Sequence, residues 1–231
     1  MTEDMEVEIS VVIPIYSNPV YLEKTLESLE AQTNNNFETI AVLDRAEPWV
    51  IDLLAGKKIK NREIKVLVSE ISGISAALMM GIKKARGELI ARIDSDDTMQ
   101  PSRLDTQFEY LGNNPNIDIV GSQINFIDEA GLKLGESCYP GSPKAIDAIL
   151  PLRNCVAHPS VMMRRSIFTY KIEYKSEFNG VEDYELWLSA LGKFPIVNLP
   201  EKLTNYRVWG SQVTSTEKEG RKHLEKLARG N

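Results

Sequence analysis

Short apolar runs rich in β-branched residues punctuate the first half of the chain, at 8–13, 37–43, 65–69 and 89–93. Runs of this length, bounded by turn residues, predict buried strands. Between them the apolar positions switch to helical spacing. Leu22, Leu26 and Leu29 form one face, behind Asn18-Pro19, which reads as a helix cap and first-turn proline. Ile74, Leu78, Ile82 and Ala85 form a second, with Gly73 before it and Gly87 after it. Pro101 opens a third, carried by Leu104, Phe108 and Leu111. Pro14-Ile15-Tyr16 is expected to end the first strand, and Asp44 to close the second. Strands alternating with helices predict an α/β fold with parallel pairing through right-handed crossovers.

Beyond Asn114 the texture becomes mixed. A strand is expected over 117–127, followed by a turn at Glu129-Ala130-Gly131. Pro140, Pro143 and Pro151 break the middle, and 156–164 reads as extended around His158-Pro159. Tyr184, Trp187, Leu188 and Leu191 predict another amphipathic helix, and 203–208 a strand. Residues 216–229 are polar, with Lys and Arg interleaved with Glu, and read as a solvated helix. No sharp boundary divides the chain, so 1–231 is read as a single domain. Its parts are an alternating α/β half over 8–113, a second half over 114–212 and a polar C-terminal helix or tail over 213–231.

Composition narrows the function classes. The chain has 231 residues, 42% hydrophobic and 26% charged, which suits one globular domain. A net charge of −6 argues against a nucleic-acid binder that works by neutralising phosphate. No apolar run reaches the ~18–20 residues that span a bilayer, and the acidic start, Met1 to Glu6, is unlike a signal peptide. Two cysteines and two histidines, far apart, imply neither a disulfide framework nor a Cys/His zinc site. A cytoplasmic setting is expected. The basic residues of the tail leave open a contact with the inner face of a membrane.

Asp94-Ser95-Asp96-Asp97 crowds three carboxylates into four positions directly behind a predicted strand. Like charges at this spacing raise one another's pKa values. A hard divalent cation relieves that repulsion, and Mg²⁺ in particular combines carboxylates with substrate phosphates. The plainer reading is an acidic loop capping the next helix. Ligands of open α/β sheets bind beyond the carboxyl ends of the strands. Tyr16, Asp44 and 94–97 all fall at such ends, which favours the metal–phosphate reading. Asp44 itself suits a hydrogen bond from a base or sugar. Glu182-Asp183, before the apolar face of a helix, reads either as helix-dipole complement or as a general base. His158 reads as structural. Trp209 reads as a sugar platform or as core packing.

Together these blocks resemble glycosyltransferase family 2, over about residues 9–212. The stretch from Glu8 to Tyr16 is similar to the family's opening strand and donor-binding turn, and Leu22 to Thr33 to its first helix. Gly73 to Gly87 and then Glu88 to Asp97 resemble the approach to its DxD motif, followed by Pro101-Ser102-Arg103-Leu104. The stretch from His158 to Arg165 resembles a further block, and Glu182 to Leu188 its acceptor-side ED block. Tyr206-Arg207-Val208 resembles its closing strand.

The resemblance implies a GT-A, Rossmann-like mixed sheet flanked by helices, with a donor half and an acceptor half. It implies an inverting, metal-dependent transferase moving a sugar from a nucleotide diphosphate sugar to a hydroxyl of a glycan or lipid-linked acceptor in surface polysaccharide synthesis. UDP is expected by association with the family. Pro14, Ile15, Tyr16, Asp44, Gly73, Asp94 and Ser95 would line the donor site. Asp96 and Asp94 would hold Mn²⁺ or Mg²⁺. Asp183, with Glu182 beside it, would be the catalytic base. Three positions depart from the family pattern. Arg45 follows Asp44 where glycine is frequent, Met79 replaces a common Asn, and Trp209 stands where many members carry His. These departures keep a non-catalytic sugar-nucleotide-binding domain in view. A sugar-phosphate nucleotidyltransferase is disfavoured, because Pro14-Ile15-Tyr16-Ser17-Asn18-Pro19 contains no glycine to cradle a triphosphate.

Overall fold

The computed structural model describes residues 7–170 and 172–210. The polar stretch 213–231 lies outside the described residues. Four parallel strands build the first half: β1 (Ile9–Tyr16), β2 (Phe37–Asp44), β3 (Lys65–Val68) and β4 (Leu89–Arg92). The second half adds β5 (Thr98–Met99), β6 (Ile119–Ile127), β7 (Lys133–Glu136), β8 (Met162–Arg164) and β9 (Ile196–Arg207). They join in one sheet of order β3-β2-β1-β4-β8-β6-β9-β5, with β7 paired to β6. Strand β8 runs antiparallel to both β4 and β6, so it stitches the parallel half to the mixed half.

The helices are α1 (Leu22–Glu30), α2 (Pro48–Leu54), α3 (Ile74–Lys84), α4 (Arg103–Asn113), α5 (Pro143–Ile149) and α6 (Glu182–Ala190). They cover both faces of the sheet, which explains why the parallel strands read as continuous apolar runs. Ile9, Val11, Ile13 and Ile15 of β1 pack with Leu22, Leu26 and Leu29 of α1 and Leu104 and Leu111 of α4. Val12 points the other way, against Ala77, Leu78 and Ile82 of α3 in the core shared with Trp187 of α6. The period-2 alternation of a strand therefore serves two cores.

Strand β1 runs through Pro14 to Tyr16, beyond the predicted end. Val12 accepts from the amide of Ile93, so Pro14, two residues on, faces the same side. Pairing with β4 stops at Val12–Arg92, and proline's missing N–H falls where no ladder partner is needed. Residues 156–164 are not simply extended. His158–Ser160 forms a 3₁₀ turn around Pro159, and only Met162–Arg164 is strand. The strand predicted over 203–208 is the end of a longer one, β9, whose register shifts between Leu199 and Thr204. The turn at Gly131 is as expected, with φ +87° there, and it leads from β6 into β7.

Arg103 holds the two halves together. It is fully buried, yet its side-chain N–H groups are satisfied. Nε donates to Gln107 Oε1, Nη1 to the Pro159 carbonyl and Thr204 Oγ1, and Nη2 to the carbonyls of Arg92 and Val161. One guanidinium thus ties α4 to β4, to the turn before β8 and to β9. Burial, with Arg92 nearby, pulls its pKa down to about 9.

Candidate active site

A cavity of about 1040 Å³ opens beyond the carboxyl ends of β1, β2 and β4. Its size suits a nucleotide-sized ligand. Pro14, Ile15, Tyr16, Asp44, Gly73, Asp94, Ser95, Asp96, Glu182 and Asp183 all line it, so one pocket gathers every predicted site residue. Met79 is not among the lining residues and packs half-buried against the α3-side core.

At one end, the last residue of β2 presents Asp44, which is 4% exposed. Its Oδ2 accepts from the Gly73 amide at 2.7 Å and from Ser72 Oγ at 3.4 Å. Its Oδ1 is buried and makes no hydrogen bond; Arg45 Nε stands 3.6 Å away. Gly73 has φ +120°, and a Cβ there would meet Asn179 Nδ2 at 2.3 Å. Asn179 Oδ1 in turn accepts from the Ser75 amide at the start of α3. A residue from the second half therefore caps the helix that fixes Asp44.

The acid cluster separates into three environments. Asp94 receives both terminal nitrogens of the buried Arg92 side chain. Burial raises the Asp94 carboxyl to about 6 against the pull of Arg92, with Asp96 adding repulsion. Asp96, half-buried on the pocket wall, accepts the indole N–H of Trp209 on Oδ2 at 2.8 Å, and its carbonyl accepts from Arg207 Nε. Asp97 turns away from the pocket and is fully buried. Its Oδ1 accepts from the Arg207 amide, its carbonyl accepts from Thr25 Oγ1, and Oδ2 has no partner. Burial, reinforced by Asp94 and Asp96, holds its carboxyl well above the usual range.

One oxygen from each of the three carboxylates lies within 4.8 Å of the others. Hard oxygen donors at this spacing fit Mg²⁺ or Mn²⁺, and the mutual repulsion of Asp94 and Asp96 is what such an ion relieves. Only Asp94 and Asp96 face the cavity, so these two are the candidate ligands.

The opposite wall carries the start of α6. Asp183 is half-buried, and its Oδ2 accepts from Asn154 Nδ2 at 2.8 Å. Glu182 is 6% exposed and accepts the Gly180 amide on Oε2. Burial first, then the charge of Asp183, raise the Glu182 carboxyl to about 7. His158 Nδ1 lies 3.8 Å from Glu182 Oε1, while Nε2 pairs with Tyr174 Oη at 2.8 Å. Burial, aided by Arg92, depresses the His158 pKa well below its usual value, which favours the neutral ring at this edge of the cavity. The charge of Asp183 contributes to the shifts of both Glu182 and Asp94, so the two acid walls share one electrostatic field.

Sequence reasoning missed Arg92, Asn154 and Asn179, each of which lines the pocket beside a predicted residue. An arginine inside the apolar run 89–93 is the one signal that pointed to a buried partner for an acid. The two asparagines lie in irregular stretches where no periodicity singles them out.

The profile described as Glycosyl transferase family 2 matches residues 10–170. The O-antigen biosynthesis glycosyltransferase WbnJ of Escherichia coli is 35% identical over 205 residues, covering 87% of this chain and 79% of its own. The amylovoran biosynthesis glycosyltransferase AmsE of Erwinia amylovora is 28% identical, covering 88% of this chain and 77% of its own. Among solved structures, S. aureus TarS 1–349 in complex with UDP-GlcNAc superposes with a TM-score of 0.74 at 19% identity, over 96% of this chain and 65% of that one. The mannosyltransferase PcManGT of Pyrobaculum calidifontis, in complex with GDP-Man and Mn²⁺, gives 0.70 at 14% identity, over 96% of this chain and 62% of that one. At such identities the structural matches speak for the GT-A fold alone. The family profile and the bacterial relatives carry the rest: the chain belongs to glycosyl transferase family 2.

Proposed function

We propose that this chain transfers a sugar, with inversion, from a UDP-linked donor to a hydroxyl of a glycan or lipid-linked acceptor in surface polysaccharide synthesis. One observation carries the reading: Asp44, the pair Asp94 and Asp96, and Asp183 stand on the walls of a single cavity. The O-antigen and amylovoran relatives support the polysaccharide setting. The UDP-GlcNAc complex of a structural neighbour supports UDP.

Asp44 Oδ1 accepts an N–H from the base, because its other oxygen is already engaged by Gly73. Pro14, Ile15 and Tyr16 border the nucleoside, and Asp94 and Ser95 the ribose and diphosphate. Asp96 with Asp94 would hold Mn²⁺ or Mg²⁺, which when bound stabilises the charge developing on the leaving diphosphate. Asp183, oriented by Asn154, takes the proton from the attacking hydroxyl. Glu182, buried and anchored to the Gly180 amide, shapes the turn that presents Asp183. One base suffices for a single displacement, since no covalent glycosyl-enzyme forms.

The test is product formation from a panel of nucleotide sugars and acceptors with Mn²⁺ or Mg²⁺. Asp96→Ala and Asp183→Ala should each abolish transfer while thermal unfolding stays cooperative. Undiminished turnover in either variant refutes the role given to that residue. Donor binding without transfer or donor hydrolysis across the panel would instead favour a binding domain.

A further inference from the structure

Arg45 is a departure from the family pattern, and its geometry gives it work at the base end of the cavity. The residue is exposed, but its backbone sits in the left-handed region at φ +51°, an uncommon conformation for arginine. Three contacts hold the side chain over the pocket. The guanidinium lies 5.6 Å from the centre of the Tyr16 ring. Nε stands 3.6 Å from Asp44 Oδ1, and Nη2 donates to Ser72 Oγ. Nη1 donates to nothing among the described residues. Beside it, Asp44 offers one buried acceptor without a hydrogen bond, while the other oxygen is held by Gly73 and Ser72. The pocket end is therefore a buried acceptor next to the unengaged Nη1 amino group of a guanidinium.

We infer that Arg45 is a specificity-determining residue that donates to the base carbonyl adjacent to the N–H accepted by Asp44, and so selects uracil. This rests on the donor reading proposed above. Uracil presents N3–H flanked by carbonyls, which matches one acceptor beside one donor. In the same pose cytosine sets a ring lone pair against the carboxylate and an amino group against the guanidinium. Guanine keeps a carbonyl and an adjacent N–H but adds a second donor, and Asp44 Oδ2 is already occupied. A buried polar group left unmatched is what lets such a site discriminate strongly. Arginine suits the role because its rigid fork is held before the ligand arrives.

The test is calorimetric titration of the wild-type chain with UDP, UMP, CDP and GDP, all with Mn²⁺ at constant concentration, repeated for Arg45→Ala and Arg45→Lys. Wild type should bind UDP at least about tenfold tighter than CDP or GDP. Arg45→Ala should lose about tenfold or more on UDP, lose as much on UMP, and narrow the UDP-to-CDP ratio, with lysine restoring little. An equal loss on UDP and UMP places the contact at the nucleoside. A loss confined to UDP, or rescue by lysine, would make Arg45 a diphosphate contact and overturn the inference. So would unchanged UDP affinity in Arg45→Ala, with the donor reading intact. Wild type that binds none of the four nucleotides sinks both readings together.

Discussion

Asn154 donates its Nδ2–H to Asp183 Oδ2 at 2.8 Å, and its own Oδ1 accepts the Val156 amide at 3.1 Å. The second bond fixes which way the amide faces, so the first holds the carboxylate at one angle to the cavity. Asn154→Ala removes that restraint without touching the donor end of the pocket. The expected result is a kcat lowered by about ten- to a hundredfold, with the donor KM little changed. Steady-state kinetics with saturating acceptor checks it. An unchanged kcat would show that the Asn154 bond does not position Asp183 for the reaction.

The three acids of 94–97 should separate by substitution. Asp97 is fully buried and accepts from the Arg207 amide, and burial with Asp94 and Asp96 nearby pushes its carboxyl well above the usual range, so the neutral, similarly shaped asparagine is the mildest substitution for it. Asp97→Asn should keep cooperative unfolding and most of the activity. Asp97→Ala, which removes the buried acceptor of the Arg207 amide, should cost about 1–3 kcal/mol of stability. Asp96→Asn should do the reverse, preserving stability and abolishing metal-dependent transfer. Thermal denaturation alongside a transfer assay with and without chelator distinguishes them. If Asp97→Asn stops transfer in a folded protein, the cavity-facing pair is not the whole ligand set.

The parallel half was legible because β1, β2 and β4 are buried on both faces. The short, mainly apolar runs at 37–43 and 89–93 read as strands, and the structure agrees to within a residue. The far end of the sheet was harder. Strand β9 carries Pro200, Glu201 and Lys202 at exposed positions where its register shifts, which hides a twelve-residue strand behind a polar break. Helices α2 and α5 are seven residues each, too short for a periodicity to show. For the site, chemistry was readable and environment was not. The tetrapeptide Asp94-Ser95-Asp96-Asp97 announces an acid cluster, but only packing reveals that Arg92 grips the first acid, Trp209 the third residue of the four, and Arg207 the last. Trp209 was read as a sugar platform or core packing, and its indole N–H on Asp96 is a contact that neither reading contained.

Glu182 gives the fold a pH dependence of predictable sign. Its carboxyl rises from 4.5 to about 7 on folding, chiefly through burial and then through Asp183. The folded protein thus holds a proton that the unfolded chain releases near pH 4.5. The resulting stabilisation is complete below that pH and is lost as pH rises through about 7. Glu182→Gln keeps an acceptor for the Gly180 amide but does not titrate. Its melting temperature relative to wild type should therefore climb by a few degrees between pH 5 and pH 8. Asp94 also rises, but it is present in both proteins and cancels in the comparison. A flat difference across that range would show that Glu182 titrates as an ordinary exposed acid.

Gly73 and Asn179 should behave as a coupled pair. Alanine at 73 must adopt φ near +120°, a conformation that costs about 1–3 kcal/mol for a residue with a Cβ. It must also displace the Asn179 side chain, whose Nδ2 would lie 2.3 Å from the new atom. Displacing Asn179 uncaps the Ser75 amide, and shifting residue 73 loosens the 2.7 Å bond that holds Asp44 Oδ2. Gly73→Ala should therefore lower both thermal stability and nucleotide affinity. In Gly73→Ala/Asn179→Ala the clash is gone while the backbone strain remains, so the double variant should be less destabilised than the sum of the two single ones. A double-mutant cycle read by denaturant unfolding, with UDP titration beside it, measures both effects. Strict additivity would show that the two side chains do not compete for the same space, and intact UDP binding in Gly73→Ala would show that the Asp44 carboxylate is held without the Gly73 amide.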